Sequence, residues 1–527
     1  MPVSVSYPGV YIQEVGSGVR TVSGVATSIA AFVGRTARGA VNQPVSCFSF
    51  GEFNRRFGGL WASAPMTYAV DDFYANGGGQ AEIVRLFTPL AADDDGIALL
   101  NIGALGLRAR NPGEWGNALL GSVTHPGQAD PDGAAAAAAK FGLEADDLFD
   151  LRVEDVATGT VEVHRNLTVL SGGGARRFDR VLAAESNLVQ CQLNLDGTPK
   201  LGNRPTHGAS ATAVDGNDGA ALTDLDYKGN PDQKTGIYAL LKADLFNLLC
   251  VPNDQRDTTL PDGVYEEAAK LCKQERAVLI VDPPVEWDAN PDAAVATVKS
   301  AQLGNGRVLS LTYADHAALF FPRLLRRDPQ RGGQIDRFVP CGAVAGIIAR
   351  TDVNRGVWKS PAGMAATISG AEGLTVPMTD QENGLLNPIG VNCLRSFPGT
   401  GLTVWGARTL KGADQLSDDY KYLAVRRLAL FIEESLYRGT QWVVFEPNDE
   451  PLWAQVRLSV GTFMQRLFKQ GAFQGASPRD AYFVKCDGST TTQDDRNQGI
   501  VNIVVGFAPL LPAEFVVISI QQISNAA

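Results

Sequence analysis

The sequence is poor in the residues on which most enzymes and metalloproteins depend. Only four histidines occur in 527 residues, His125, His164, His207 and His316. No two lie three to five residues apart, and none sits beside a Cys or Glu at metal-ligand spacing, which argues against a histidine-based metal site. The seven cysteines are widely scattered and include no C-x-x-C pair. Neither a disulfide framework nor a zinc knuckle is expected, and the thiols read as reduced core residues. There is no G-x-x-x-x-G-K-[ST] loop and no G-x-S-x-G elbow. Gly77, Gly78 and Gly79 follow a helical pattern instead of opening one, so their amides are misplaced for phosphate. Residues 215–219 with Asp226 approach a calcium-loop pattern, but the glycine and terminal Glu of that pattern are misplaced and a solvated turn is expected. Pairs such as Asp71-Asp72, Glu433-Glu434 and Asp494-Asp495 fall on helix faces or loops, where hydration accounts for them. No catalytic, cofactor-binding or metal residue is nominated, and no enzymatic activity is expected.

An excess of positive charge is missing too. Lys and Arg number 46 against 57 Asp and Glu, a net charge of −11, which argues against nucleic acid as the main partner because phosphate binding needs a basic footprint. No run approaches the about 20 apolar residues of a membrane span. The longest candidate, residues 338–349, is interrupted by Pro340, Gly342 and Gly346 and reads as a buried strand. No basic residue precedes Arg20 and no apolar block of signal-peptide length follows the first Met, so neither secretion nor membrane insertion is expected.

What is present suits a large folded protein. The chain is 45% hydrophobic, with 23 Phe, 12 Tyr and 7 Trp, enough for three to four domains or one core carrying insertions. Residues 28–34 and 82–87 read as apolar strands flanking an amphipathic helix that starts near Ser63 and stops at Gly77. Between about 90 and 230 the composition shifts to Asp-Gly and Asn-Gly turns, an Ala134–Ala139 run and short strand-like pieces, as in an inserted loop-rich domain. From 235 to 312 three helix-and-strand units alternate, which points to an α/β core. The last third carries two amphipathic helices, 420–438 and 451–470, ending before Gly439 and Gly471. Strands are expected around them at 442–445, 482–485, 501–505 and 515–520. The first residues alternate apolar and polar side chains (Val3, Val5, Tyr7, Val10, Ile12), yet Pro8-Gly9 interrupts them and few large apolar groups follow. Such a segment needs a partner sheet.

Ordered motifs at the two ends carry a resemblance. YPGVYIQEV, then Thr27-Ser28, Ala31-Phe32-Val33-Gly34, Arg38-Gly39, Phe57-Gly58-Gly59 and Phe73-Tyr74-Ala75-Asn76-Gly77-Gly78, resembles the N-terminus of contractile tail sheath proteins of bacteriophages and phage-tail-like injection particles. Arg426-Arg427, Phe445-Glu446-Pro447-Asn448, Leu452-Trp453, Gly471-Ala472, Cys486-Asp487 and Pro512-Ala513-Glu514-Phe515-Val516 resemble the C-terminal part of that family, and Trp358-Lys359-Ser360-Pro361-Ala362-Gly363 one of its loops. The likeness covers about 7–90 and 340–520 and leaves the middle unmatched.

The resemblance implies a mixed α/β and α+β multidomain protomer with a discontinuous assembly core, an inserted β-containing domain and extended strand-forming arms at both ends. The implied boundaries are 1–26 for the N-terminal arm, 27–89 for the first part of the core and 90–232 for the inserted outer domain. The α/β middle region is 233–405, the C-terminal core facing an inner tube 406–507 and the C-terminal arm 508–527. It further implies a structural subunit that polymerises helically with itself around a tube and contracts without nucleotide hydrolysis. Its other partners would be baseplate and tail-terminator proteins, with assembly in the bacterial cytoplasm. Contacts between subunits are then expected from Val3, Val5, Tyr7, Val10, Tyr11, Ile12, Phe515, Val516, Val517, Ile518 and Ile520. Arg426, Arg427, Arg457, Arg466 and Lys469 are candidates for tube-facing cations, against the alternative of a solvated helix face. Two other readings remain open: another self-assembling coat or shell protein, or a cytosolic α/β enzyme with a cleft at Asp282-Pro283-Pro284.

Overall fold

The computed structural model describes residues 21–172, 174–288, 293–296, 298, 311–414 and 418–515. The arm residues Val3 to Ile12 and Val516 to Ile520, like most of the helix and strand expected between 293 and 312, lie outside them. The chain divides into two compact units, one of residues 28–350 and 361–418, the other of residues up to 27, 351–360 and from 419 onward.

The larger unit is built on an eight-stranded sheet in the order Gly401–Val404, Val391–Phe397, Ala317–Phe321, Val278–Val281, Leu248–Cys250, Ala30–Gly34, Ala81–Arg85, Val45–Cys47. The six inner strands run parallel and the two outer ones are antiparallel edges. Continuous apolar runs such as VLIV and AALFF, buried at every position, are what a parallel sheet covered on both faces demands. Between Ala81–Arg85 and Leu248–Cys250 the chain makes separate antiparallel sheets. These enclose a second apolar cluster that includes Leu100, Leu107, Phe149, Leu151, Phe178 and Val189. The alanine run there is a helix, Pro131–Ala139. All seven cysteines are buried, free thiols.

Residues 338–349 correct the sequence reading. They are largely helical, within α2 (Cys341–Arg355), and not a strand. The physical reason lies in the two glycines that had suggested an interruption. A Cβ at Gly342 would run into the carbonyl of Ala69, and one at Gly346 into the carbonyl of Phe73, both in α1 (Pro65–Ala75). Four residues apart, they form the side of α2 that lets two backbones approach closely. Pro340 stands just ahead of the helix, where a missing N–H costs nothing.

Asp282 follows Val278–Val281 and is buried. Its Oδ1 accepts the Cys341 amide at 3.0 Å, while Oδ2 has no hydrogen-bond partner among the described residues. Burial pushes its carboxyl up to about 7. Because the folded state holds this proton more tightly than the unfolded chain, the group's contribution is fully present below about pH 4. That contribution is lost as pH rises through about 7. Asp282→Asn keeps the acceptor and removes the charge, so melting temperatures compared at pH 5 and pH 8 should differ less for the variant than for the parent. An unchanged pH dependence would contradict this assignment.

The smaller unit centres on two long helices, α3 (Leu423–Gly439) and α4 (Glu450–Lys469). Pro451 stands in the first turn of α4, whose N-cap Asp449 accepts the Glu450 amide at 2.8 Å. Leu452, Val456, Val460, Phe463, Met464 and Leu467 form the buried stripe of α4. They pack with Leu428 and Ile432 of α3 and with Val22. The strand expected at 442–445 is instead a 3-10 turn, Gln441–Val443, followed by Phe445 in the left-handed region at φ 70°. The β-prone Val443-Val444-Phe445 run is overridden because it must join two helices in few residues, with Pro447 close behind.

Candidate strand-addition interface

Tyr482–Lys485 and Val504–Phe507 form an antiparallel hairpin that pairs Tyr482 with Phe507 and Lys485 with Val504. Alternation gives it two faces. Tyr482, Val484, Val505 and Phe507 pack on the helical core of the unit, and Phe473 stacks near both Tyr482 and Phe507 at 6.1 and 5.7 Å. The Tyr482 hydroxyl donates to Gln465 Oε1 at 2.7 Å. Phe483, Lys485 and Val504 point outward and are exposed. The Phe483 ring lies across Gly506, leaving no space for a Cβ there. Among the described residues neither strand pairs with a third, so both edges present unpaired backbone groups, and a two-stranded sheet is marginal by itself. Phe515, the one described member of the expected C-terminal contact set, is exposed.

The segment entering this unit is held by a buried clamp. Arg427 donates to Asp352 Oδ1 at 2.8 Å and Oδ2 at 2.5 Å, a bidentate pair with both side chains 3% exposed. Its Nη2 also donates to the Thr27 carbonyl at 2.8 Å. The Thr27 hydroxyl donates to Asp352 Oδ2 at 2.6 Å. Further out, Ser435 Oγ accepts the Val25 amide at 3.2 Å and Arg466 donates to the Val22 carbonyl at 2.7 Å. Val22 itself is buried, and the chain passes so close to α3 that a Cβ on Gly439 would meet Val22 Cγ1 at 2.7 Å.

These contacts correct part of the tube-facing set. Arg427 is committed to Asp352 and Thr27. Arg426 is buried with its guanidinium 4.4 Å over the Tyr420 ring, so neither presents its charge outward from this unit. Arg457 donates to the Cys486 carbonyl and ion-pairs Glu450 at 2.6 Å. Arg466 and Lys469 are exposed. At the Asp282-Pro283-Pro284 strand end, Asp282 is buried and its carboxylate caps α2.

Two family models match this chain: the phage tail sheath protein central domain over residues 227–410 and the phage tail sheath C-terminal domain over residues 415–523. The chain belongs to the phage tail sheath protein family. Segment 227–340, which the sequence reading left unmatched, is therefore part of the common sheath architecture, because the central-domain model begins at 227. The tail sheath protein of Vibrio phage KVP40 is 25% identical over 248 residues, 44% of this chain and 35% of that protein. That of Burkholderia phage BcepMu is 26% identical over 222 residues, 41% and 44% respectively. The chain thus spans less than half the length of the curated relatives it matches. In fold, the sheath-family chain is similar to the helical sheath of the anti-feeding prophage in its contracted state (TM-score 0.57, 23% identity, 98% of this chain and 100% of that one). It is also similar to a sheath tail protein from Listeria innocua (TM-score 0.59, 13% identity, 93% and 96%).

Proposed function

We propose that this chain is the structural subunit of a contractile sheath. It polymerises helically around an inner tail tube and contracts, without nucleotide hydrolysis, to drive the tube through a target envelope. The observation that carries this reading is the hairpin with two open edges, in a chain whose terminal segments alternate like strands yet lack a core of their own. Strands from neighbouring copies would complete the sheet by main-chain hydrogen bonds. At about 0.5 to 1.5 kcal/mol net per bond, a joint of some six bonds contributes roughly 3 to 9 kcal/mol. Such joints hold while subunit bodies rotate and repack, as a two-state assembly requires. Baseplate and terminator proteins would bound the polymer at its ends, and assembly would take place in the bacterial cytoplasm. Negative-stain microscopy of the purified chain tests the reading: long tubes support it, and small closed oligomers alone would reject it.

The tube contact falls to Lys469, which is exposed at the end of α4 and has no ion-pair partner among the described residues. Lys469→Glu should weaken cosedimentation with tubes several-fold at low salt and much less at high salt, since exposed charges are screened over about 10 Å at 0.1 M. Tube-free polymerisation should be unchanged. Undisturbed cosedimentation would remove Lys469 from the interface.

A further inference from the structure

The loop between α3 and α4 holds a fully exposed phenylalanine, Phe445, next to exposed Val444. Its backbone sits at φ 70°, a conformation that bulky residues adopt only when the surroundings impose it. Here they do. Trp442 and Val443 pack on the core on one side. On the other, Asn448 Nδ2 donates to the Ile500 carbonyl and Asn448 Oδ1 accepts from the Trp453 indole, both at 2.9 Å. The loop is pinned at both ends so that an apolar ring projects into solvent. Beside it, the exposed Glu446 has no ion pair among the described residues.

The same unit contains an open pocket of about 310 Å3 between residues 24–27 and 463–470, lined in part by Trp358, Phe431 and Phe463 and in part by Asp352, Arg466 and Gln470. A cavity of about 150 Å3 already accommodates a benzene ring, so this one admits a phenylalanine side chain. The ring cannot be its own occupant. Phe445 precedes the first turn of α4, whereas the cavity lies against Phe463 to Gln470, some 13 residues or roughly 20 Å along that helix.

We infer that Phe445 of one copy inserts into the Trp358/Phe431/Phe463 cavity of a second copy, with Glu446 meeting Arg466. Both partners carry complementary features: a ring and a carboxylate on the loop, an aromatic wall and a guanidinium at the cavity. Knob and hole lie at opposite ends of α4, and in a row of subunits the contact is used head to tail, as a heterologous one. Each copy that gives a knob leaves its own hole open for the next, which propagates a row of subunits. Arg466 thereby belongs to the contact between copies and not to the tube. The inference rests on the sheath reading for its setting, and the test separates the two.

Phe445→Ala should leave circular dichroism and the melting curve unchanged, because the ring is fully exposed in the subunit, while the protein concentration needed for tube formation rises at least tenfold. Phe445→Trp should restore most of the assembly. In parallel, F445C and Q470C chains are mixed, assembled and mildly oxidised, against the background of seven buried native thiols. A disulfide-linked dimer that needs both variants supports the inference. Tubes that form without that dimer, from F445A as readily as from the parent, overturn it and leave the sheath reading standing. If the parent chain forms no tubes, the sheath reading falls, and a cross-linked soluble dimer would then show the contact alone.

Discussion

Removal of residues 1–20 yields a folded, soluble subunit that no longer forms tubes at concentrations where the full chain does. Folding is expected to survive because the truncated chain keeps, among the described residues, the ties of its N-terminal segment: the buried Val22 side chain, the Val25 amide on Ser435 and the Thr27 contacts with Arg427 and Asp352. Assembly fails because the deleted residues are those proposed to add a strand to a neighbour's hairpin. Losing a joint of roughly 3 to 9 kcal/mol lowers the association constant by about two to six orders of magnitude. Size-exclusion chromatography, a melting curve and electron microscopy of the truncated chain read the three outcomes separately. Tubes as abundant as those of the parent would sink the arm model.

The second large effect is internal. Arg427→Ala or Asp352→Ala should destabilise the smaller unit by about 3 to 5 kcal/mol, the usual cost of leaving one partner of a buried ion pair without the other. Here the loss is compounded, since Arg427 also holds the Thr27 carbonyl and Asp352 accepts the Thr27 hydroxyl. Replacing both residues by apolar ones of similar size should cost clearly less than either single change, because no lone charge is then buried. Urea unfolding followed by tryptophan fluorescence reads the loss, with Trp358, Trp442 and Trp453 in this unit and the other four tryptophans in the larger one. Single-variant losses below about 1 kcal/mol would show that the pair is solvated and not a clamp.

The sequence showed some of this plainly and hid the rest for identifiable reasons. VLIV at 278–281 could hardly be anything but a buried strand, and both long C-terminal helices announce themselves by apolar spacing. The hairpin is half legible: the alternation at Tyr482–Lys485 matches its strand, while the apolar run at 501–505 only overlaps the second, which begins at Val504. Residues 338–349 were misread because Gly342 and Gly346 look like interruptions until the carbonyls of α1 are seen beside them. That error concealed Asp352, which sits near the C-terminal end of the unrecognised helix. Without Asp352, Arg427 looks like one more surface cation, and nothing local in Arg426-Arg427 reveals a partner 75 residues upstream. The pocket beside Trp358 and Gln470 is equally out of reach, being assembled from four chain segments that meet only in the fold.

Completion of the open hairpin by other copies is the central claim, and a cryo-electron microscopy map of tubes assembled from the full chain tests it most directly. The account predicts that in every subunit Tyr482–Lys485 and Val504–Phe507 are flanked by strands from neighbouring chains, one from an N-terminal and one from a C-terminal segment. A map in which both hairpin edges face solvent, or are covered only by the subunit's own chain, would contradict it.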